Sequence, residues 1–135
     1  MKIRTFALSA LLVTGSAFAA ETDVTVPGSA YDSPGVFALP EADAPVPAVL
    51  LIHGFASDKE EVGGFYAELA EALEAEGVAS LRFDFAGSGD HEAGFEVNNW
   101  STFTRDAREA FDWLAAQDGV DDTRLGVVGF SLGGA

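Results

Sequence analysis

An α/β fold, with a mostly parallel sheet flanked by helices and an antiparallel hairpin at its N-terminal edge, is what this 135-residue sequence predicts. Three observations lead there. Residues 48–52 form a continuous apolar run without alternation, which suits a strand covered on both faces. Residues 78–83 and 125–130 read as two further buried strands. Between the three strands lie two stretches with apolar residues at helical spacing. Strand, helix, strand, helix, strand with short connections implies right-handed crossovers and a parallel sheet.

In chain order, Asp23-Val24-Thr25-Val26 alternates as a short strand does, and Pro27-Gly28-Ser29 breaks it. Residues 35–39 form its antiparallel partner. Residues 40–47, with three prolines and two acids, read as a surface loop. The first buried strand follows, then a loop over 53–64. Phe65, Tyr66, Leu69, Ala70 and Leu73 mark an amphipathic helix that Gly77 closes. After the strand at 78–83 comes a Gly- and acid-rich loop over 84–99. Phe103, Ala107, Ala110, Phe111 and Leu114 mark a second helix, with Ser101 or Thr102 as its N-cap. The strand at 125–130 comes last. It would be central in a complete sheet and an edge in a sheet that ends with it, with unpaired backbone groups.

The first nineteen residues read as an export signal. Lys2 and Arg4 give a positive start, residues 6–13 an apolar segment, and Ala17-Phe18-Ala19 a small-x-small cleavage site. The apolar segment is too short for a permanent anchor, so no integral membrane segment is expected once residues 1–19 are removed. The expected location is a bacterial periplasm or the medium. Residues 20–135 are expected to be the N-terminal part of one domain, because such a fold routinely takes roughly 200–250 residues.

The whole chain carries a net charge of −15. Removing Lys2 and Arg4 leaves the same 22 acids with five of the seven bases, a net charge of −17. Such a surface repels nucleic acid and anionic lipid. There is no cysteine, so neither a disulfide nor a Cys-ligated metal site is available. The two histidines, His53 and His91, lie far apart in different motifs, which speaks against a histidine-ligated metal. No metal and no cofactor is expected. The sequence indicates no oligomeric state.

The residues with most chemical content are Gly129-Phe130-Ser131-Leu132-Gly133-Gly134. A Gly-x-Ser-x-Gly turn directly after a buried strand is a nucleophile elbow, with the serine backbone strained and its hydroxyl presented. Side chains at Gly129 and Gly133 would clash there. Ser131 as nucleophile needs a base, an acid that orients the base, and donors for an oxyanion. One donor is the Leu132 amide, directly after the nucleophile. The second is the Phe55 amide, in a loop that Gly54 allows to come close. One such donor contributes roughly 2.7–4 kcal/mol to transition-state stabilisation. In elbows of this type the acid and histidine follow the serine in the chain. His53 is therefore read as structural, His91 as solvent-facing or on the substrate side, and Asp84 as a loop anchor. Trp100 and Trp113 are read as core or loop-lining residues.

His53-Gly54-Phe55, Arg82-Phe83-Asp84-Phe85-Ala86-Gly87-Ser88-Gly89-Asp90 and the elbow, in that order, resemble the α/β-hydrolase superfamily across nearly all of residues 20–135. The middle motif, followed by Gly94-Phe95-Glu96, is similar to feruloyl and cinnamoyl esterases. The elbow is similar to the dienelactone-hydrolase and prolyl-oligopeptidase-like branches. The resemblance implies a serine hydrolase acting on a small-molecule carboxylic ester through an acyl-enzyme, complete only with the C-terminal half of the fold. A peptidase or amidase of the same fold, and a non-catalytic binding protein on it, are the alternatives.

Overall fold

The computed structural model describes residues 21–135. The expected signal segment, residues 1–19, lies outside the described residues. Five strands form one sheet in the order β1-β2-β4-β3-β5: β1 Thr22–Val26, β2 Ser33–Ala38, β3 Val46–Ile52, β4 Ala79–Phe83 and β5 Val120–Gly129. β1 and β2 pair antiparallel, and β2 joins β4 antiparallel. β3 lies between β4 and β5 and is parallel to both. This is the mixed α/β sheet that the apolar runs predict, with the hairpin at one edge.

Helix α1 (Phe65–Ala75) connects β3 to β4, and α2 (Trp100–Ala115) connects β4 to β5. The first crossover moves toward the hairpin and the second returns across β3. Two right-handed crossovers in opposite directions place their helices on opposite faces of the sheet. The core divides accordingly. Leu50, Ile52, Leu81, Phe83, Phe85, Phe103, Ala110 and Leu114 form one apolar cluster beneath α2. Leu51 points the other way along β3, and Tyr66 and Ala70 of α1 are buried outside that cluster.

Three local readings are corrected. β3 begins at Val46, inside the predicted loop, because Pro47 sits near the strand's start at a register shift against β5, where a missing amide does little harm. The N-cap of α2 is Asn99, not Ser101 or Thr102. Its side-chain oxygen accepts from the Ser101 and Thr102 amides, and the Thr102 hydroxyl accepts from the Asn99 amide. β5 begins at Val120, ahead of the predicted start at Leu125, and lies at the sheet edge, as expected of a sheet that ends with it; Val127 is 53% exposed and Val128 39%. Helix α2 packs against β5. Gly77 closes α1 as expected, with φ 74°.

Candidate active site

Parallel neighbours that end in register bring their following loops together. Ile52 of β3 is level with Gly129 of β5, and the Phe130 amide donates to the Ile52 carbonyl at 3.1 Å. The residues that follow, His53-Gly54 and Phe130-Ser131, therefore lie side by side at the carboxyl edge of the sheet. In α/β sheets this is the edge where ligands bind.

The turn after β5 is tight. Ser131 has φ 52°, in the left-handed region that costs a non-glycine residue energy, and opens a 3₁₀ turn over Ser131–Gly134. A Cβ on Gly129 would lie 2.0 Å from the Gly133 carbonyl oxygen, and one on Gly133 would lie 2.4 Å from the Ile52 carbonyl oxygen. Both glycines are thus required by space. Gly54 faces the elbow closely, since a Cβ there would sit 3.4 Å from the Phe130 carbonyl oxygen and 3.4 Å from the Ser131 Cβ. The Ser57 amide donates to the Gly54 carbonyl across a turn in which Ala56 has φ 57°. Among the described residues neither the Phe55 amide nor the Leu132 amide donates a hydrogen bond. The two predicted donors are unengaged and stand on the two loops that meet at Ser131.

His53 is 1% exposed and both ring nitrogens are occupied. Nδ1 is 2.7 Å from the Gly54 carbonyl oxygen, and Nε2 accepts from the Phe85 amide at 3.2 Å. These partners assign the neutral tautomer with its proton on Nδ1. Burial holds its pKa below the usual histidine value, although Gly54, Asp84, Glu61 and Asp58 pull it upward. The Phe85 ring stacks edge-on against it at 4.9 Å. The histidine is a structural pin between two loops, as its sequence position indicates.

Asp84 also anchors loops. It is fully buried and accepts from the Lys59 amide, the Lys59 ammonium and the Asp90 amide. Lys59 bridges on to the exposed Asp90 carboxylate, which ties the loop after β3 to the loop after β4. Arg82, two residues before Asp84, grips Glu21 with two nitrogens and Glu60 with a third. His91 lines a separate cleft with Tyr31, Asp32 and Asp90, and its ring meets Tyr31 edge-on at 5.6 Å. Trp113 packs edge-on against Phe37, and Trp100 stands 60% exposed.

Glu61 is a residue that the sequence does not mark, one of 22 acids in a charged loop. It is 6% exposed, and its backbone is left-handed with φ 55°. Its carboxylate accepts from the Gly54 amide at 2.7 Å, the Ser57 hydroxyl at 2.9 Å and the Val62 amide at 3.2 Å. Tyr66, whose hydroxyl donates to the Ile52 carbonyl, is pushed up to about 12 by burial and by the Glu61 charge. On the outer side of the site Phe55 and Phe95, both about half exposed, meet edge-on at 5.4 Å. A cavity of about 200 Å³ opens beside the elbow, lined by Ile52, Phe85, Trp100, Phe103 and Leu132 among others, but not by Ser131 or Phe55. Among the described residues, no group of three or more His, Cys, Asp and Glu side chains is placed to hold a metal ion, and no helix is long and apolar enough to cross a membrane.

A family model described as serine aminopeptidase, S33 (Hydrolase_4), matches residues 43–135. The chain belongs to this α/β-hydrolase family. An uncharacterized protein of Mycobacterium tuberculosis is 38% identical over 89 residues, which are 66% of this chain and 29% of the relative. An uncharacterized 31.7 kDa protein from the traX-finO intergenic region of Escherichia coli is 32% identical over 100 residues, 73% of this chain and 33% of the relative. The chain thus spans about a third of the length of these curated relatives. Among solved structures it is similar to Est1E of Butyrivibrio proteoclasticus with bound ferulic acid. The TM-score is 0.72 at 25% identity, covering 82% of this chain and 43% of that one. A dienelactone hydrolase from Anabaena variabilis shares the fold, with TM-score 0.70 and 22% identity over 87% of this chain and 54% of its own.

Proposed function

We propose that this family member supplies the nucleophile and the oxyanion donors of a serine hydrolase acting on small-molecule carboxylic esters. The observation that supports it is the strained Ser131 at the elbow, with the unengaged Phe55 and Leu132 amides on the two loops that meet there. In this reading Ser131 Oγ attacks the ester carbonyl and its proton passes to a base. The carbonyl oxygen, now negative, is held by the Phe55 and Leu132 amides. Collapse of the adduct expels the alcohol and leaves an acyl-serine, which water hydrolyses to the acid and free Ser131. His53 has no nitrogen to offer as that base, since both are bonded. In elbows of this type the acid and histidine follow the serine in the chain, so base and orienting acid are proposed to come from residues after Ser131 in the whole protein. Backbone donors and a hydroxyl need no cofactor.

The test is the full-length protein beside its Ser131→Ala variant on p-nitrophenyl acetate and methyl ferulate. Loss of turnover by roughly 10⁴–10⁶-fold is expected, the range seen when a triad nucleophile is removed. Equal turnover by both proteins overturns the reading. The family description favours a second reading, amide rather than ester cleavage, because it names a serine aminopeptidase. Aminoacyl nitroanilides assayed beside the esters separate the two: a clear preference for the anilides selects the peptidase. The charge of the chain further supports a substrate that is not a nucleic acid. The first nineteen residues support export to a periplasm or the medium.

A further inference from the structure

We propose that Glu61 is a positioning residue for the anion hole, holding the Gly54–Ser57 turn so that the Phe55 amide faces Ser131. This rests on the serine-hydrolase reading above and adds to it the group that sets one donor's geometry.

Three observations carry it. First, strain is concentrated. The non-glycine residues with positive φ among the described ones are Ala56, Glu61 and Ser131. All three lie in the loop after β3 or in the elbow it touches. Such backbone persists only where the surroundings over-determine it, and it gathers at functional sites. Second, the Glu61 carboxylate is buried without a cation: none of the ion pairs among the described residues includes it. A buried charge held only by neutral donors is costly to keep. Third, its partners sit at both ends of one turn. Oε2 takes the Gly54 amide, immediately before Phe55, and Oε1 takes the Ser57 hydroxyl, two residues after it. The turn is also closed by the Ser57 amide on the Gly54 carbonyl. With the peptides on both sides tied, the Phe55 N–H has little freedom, and it has no partner among the described residues.

The charge itself has the wrong sign to help an oxyanion. Glu61 must therefore act through geometry, which fixes what its variants should do. Glu61→Ala frees the turn and should lower kcat about 10²-fold, the loss that accompanies a displacement of roughly 1 Å at a reacting centre. KM should move less than about threefold, because ground-state binding does not depend on the hole. Glu61→Gln keeps an oxygen for the Gly54 amide and should retain activity within about tenfold of wild type. Ser57→Ala removes one tie and should fall between wild type and Glu61→Ala.

The experiment is steady-state kinetics of these variants in the full-length protein on p-nitrophenyl acetate, with Ser131→Ala as reference. Binding of a trifluoromethyl ketone, whose adduct with the serine places an oxyanion in the hole, is measured in parallel. Its affinity should weaken in step with kcat, which a merely structural role would not produce. Where Glu61→Ala does not fold, Glu61→Gln and Ser57→Ala carry the comparison. Loss confined to KM or to melting temperature overturns the assignment, and so does Glu61→Gln losing as much as Glu61→Ala. A wild-type protein whose activity does not depend on Ser131 overturns the hydrolase reading itself. Ser131-dependent activity that the Glu61 and Ser57 variants leave intact overturns only the positioning role.

Discussion

Gly133→Ala isolates what the elbow requires of space. Gly133 is not in the left-handed region, so alanine meets no penalty from φ there. The cost is steric. Its Cβ would stand 2.4 Å from the Ile52 carbonyl oxygen and 2.7 Å from that of His53. Ordinary contact begins at 3.4 Å, so the elbow must retreat by about 1 Å from the end of β3. Both obstacles are backbone, one of them engaged by the Phe130 amide and the Tyr66 hydroxyl, and neither can swing aside as a side chain would. Overpacking of this kind costs roughly 1–3 kcal/mol. The retreat also carries Ser131 and the Leu132 amide away from the Phe55 loop, which should lower kcat about 10²-fold. Gly126→Ala is the internal control, since a Cβ there meets only the Val49 Cγ2 at 3.7 Å. It should leave kcat unchanged and alter stability by less than about 1 kcal/mol, in the favourable direction if the unfolded chain loses freedom. Urea denaturation and ester kinetics on the two full-length variants decide the matter. Gly133→Ala with wild-type stability and turnover would refute the elbow geometry, and equal losses in both variants would show that the steric argument does not discriminate.

Two further outcomes are expected, one from the structure and one from the N-terminal sequence. Burial holds the His53 pKa below the ordinary value of about 6.5, so the unfolded chain takes up a proton more readily than the folded one. His53 should therefore contribute its full stability above that value and lose it as pH falls toward the folded pKa. Denaturation between pH 8 and 5 should show this slope in wild type and a shallower one in His53→Gln; identical slopes would remove His53 from the account. Export predicts that intact-mass analysis of the secreted protein shows loss of residues 1–19, with cleavage after Ala19. Retention of Met1 in a cytoplasmic fraction is the result that would sink it.

Much of this molecule was decided by local rules, and those parts are legible residue by residue. Apolar runs and helical spacing place β3, β4, α1 and α2, because burial on one or two faces imposes its own period on the chain. Gly129 and Gly133 announce the elbow, because a strand-to-helix turn this tight has no room for a Cβ whatever surrounds it. His53 as a structural residue follows from its place ahead of Ser131 in the chain, and Asp84 as a loop anchor from its place after a buried strand. Tertiary structure decided what depends on distant neighbours. Asn99, Ser101 and Thr102 can all cap a helix, and only the path of the preceding loop selects Asn99. The apolar character of Val127 and Val128 signals burial, yet their exposure depends on what lies over the sheet edge. Glu61 is chemically the same as its neighbour Glu60, but one carboxylate is drawn inward to Gly54 and Ser57 and the other outward to Arg82. That separation arises where β3 and β5 end in register, because it is there that the loop after β3 is pressed against the elbow.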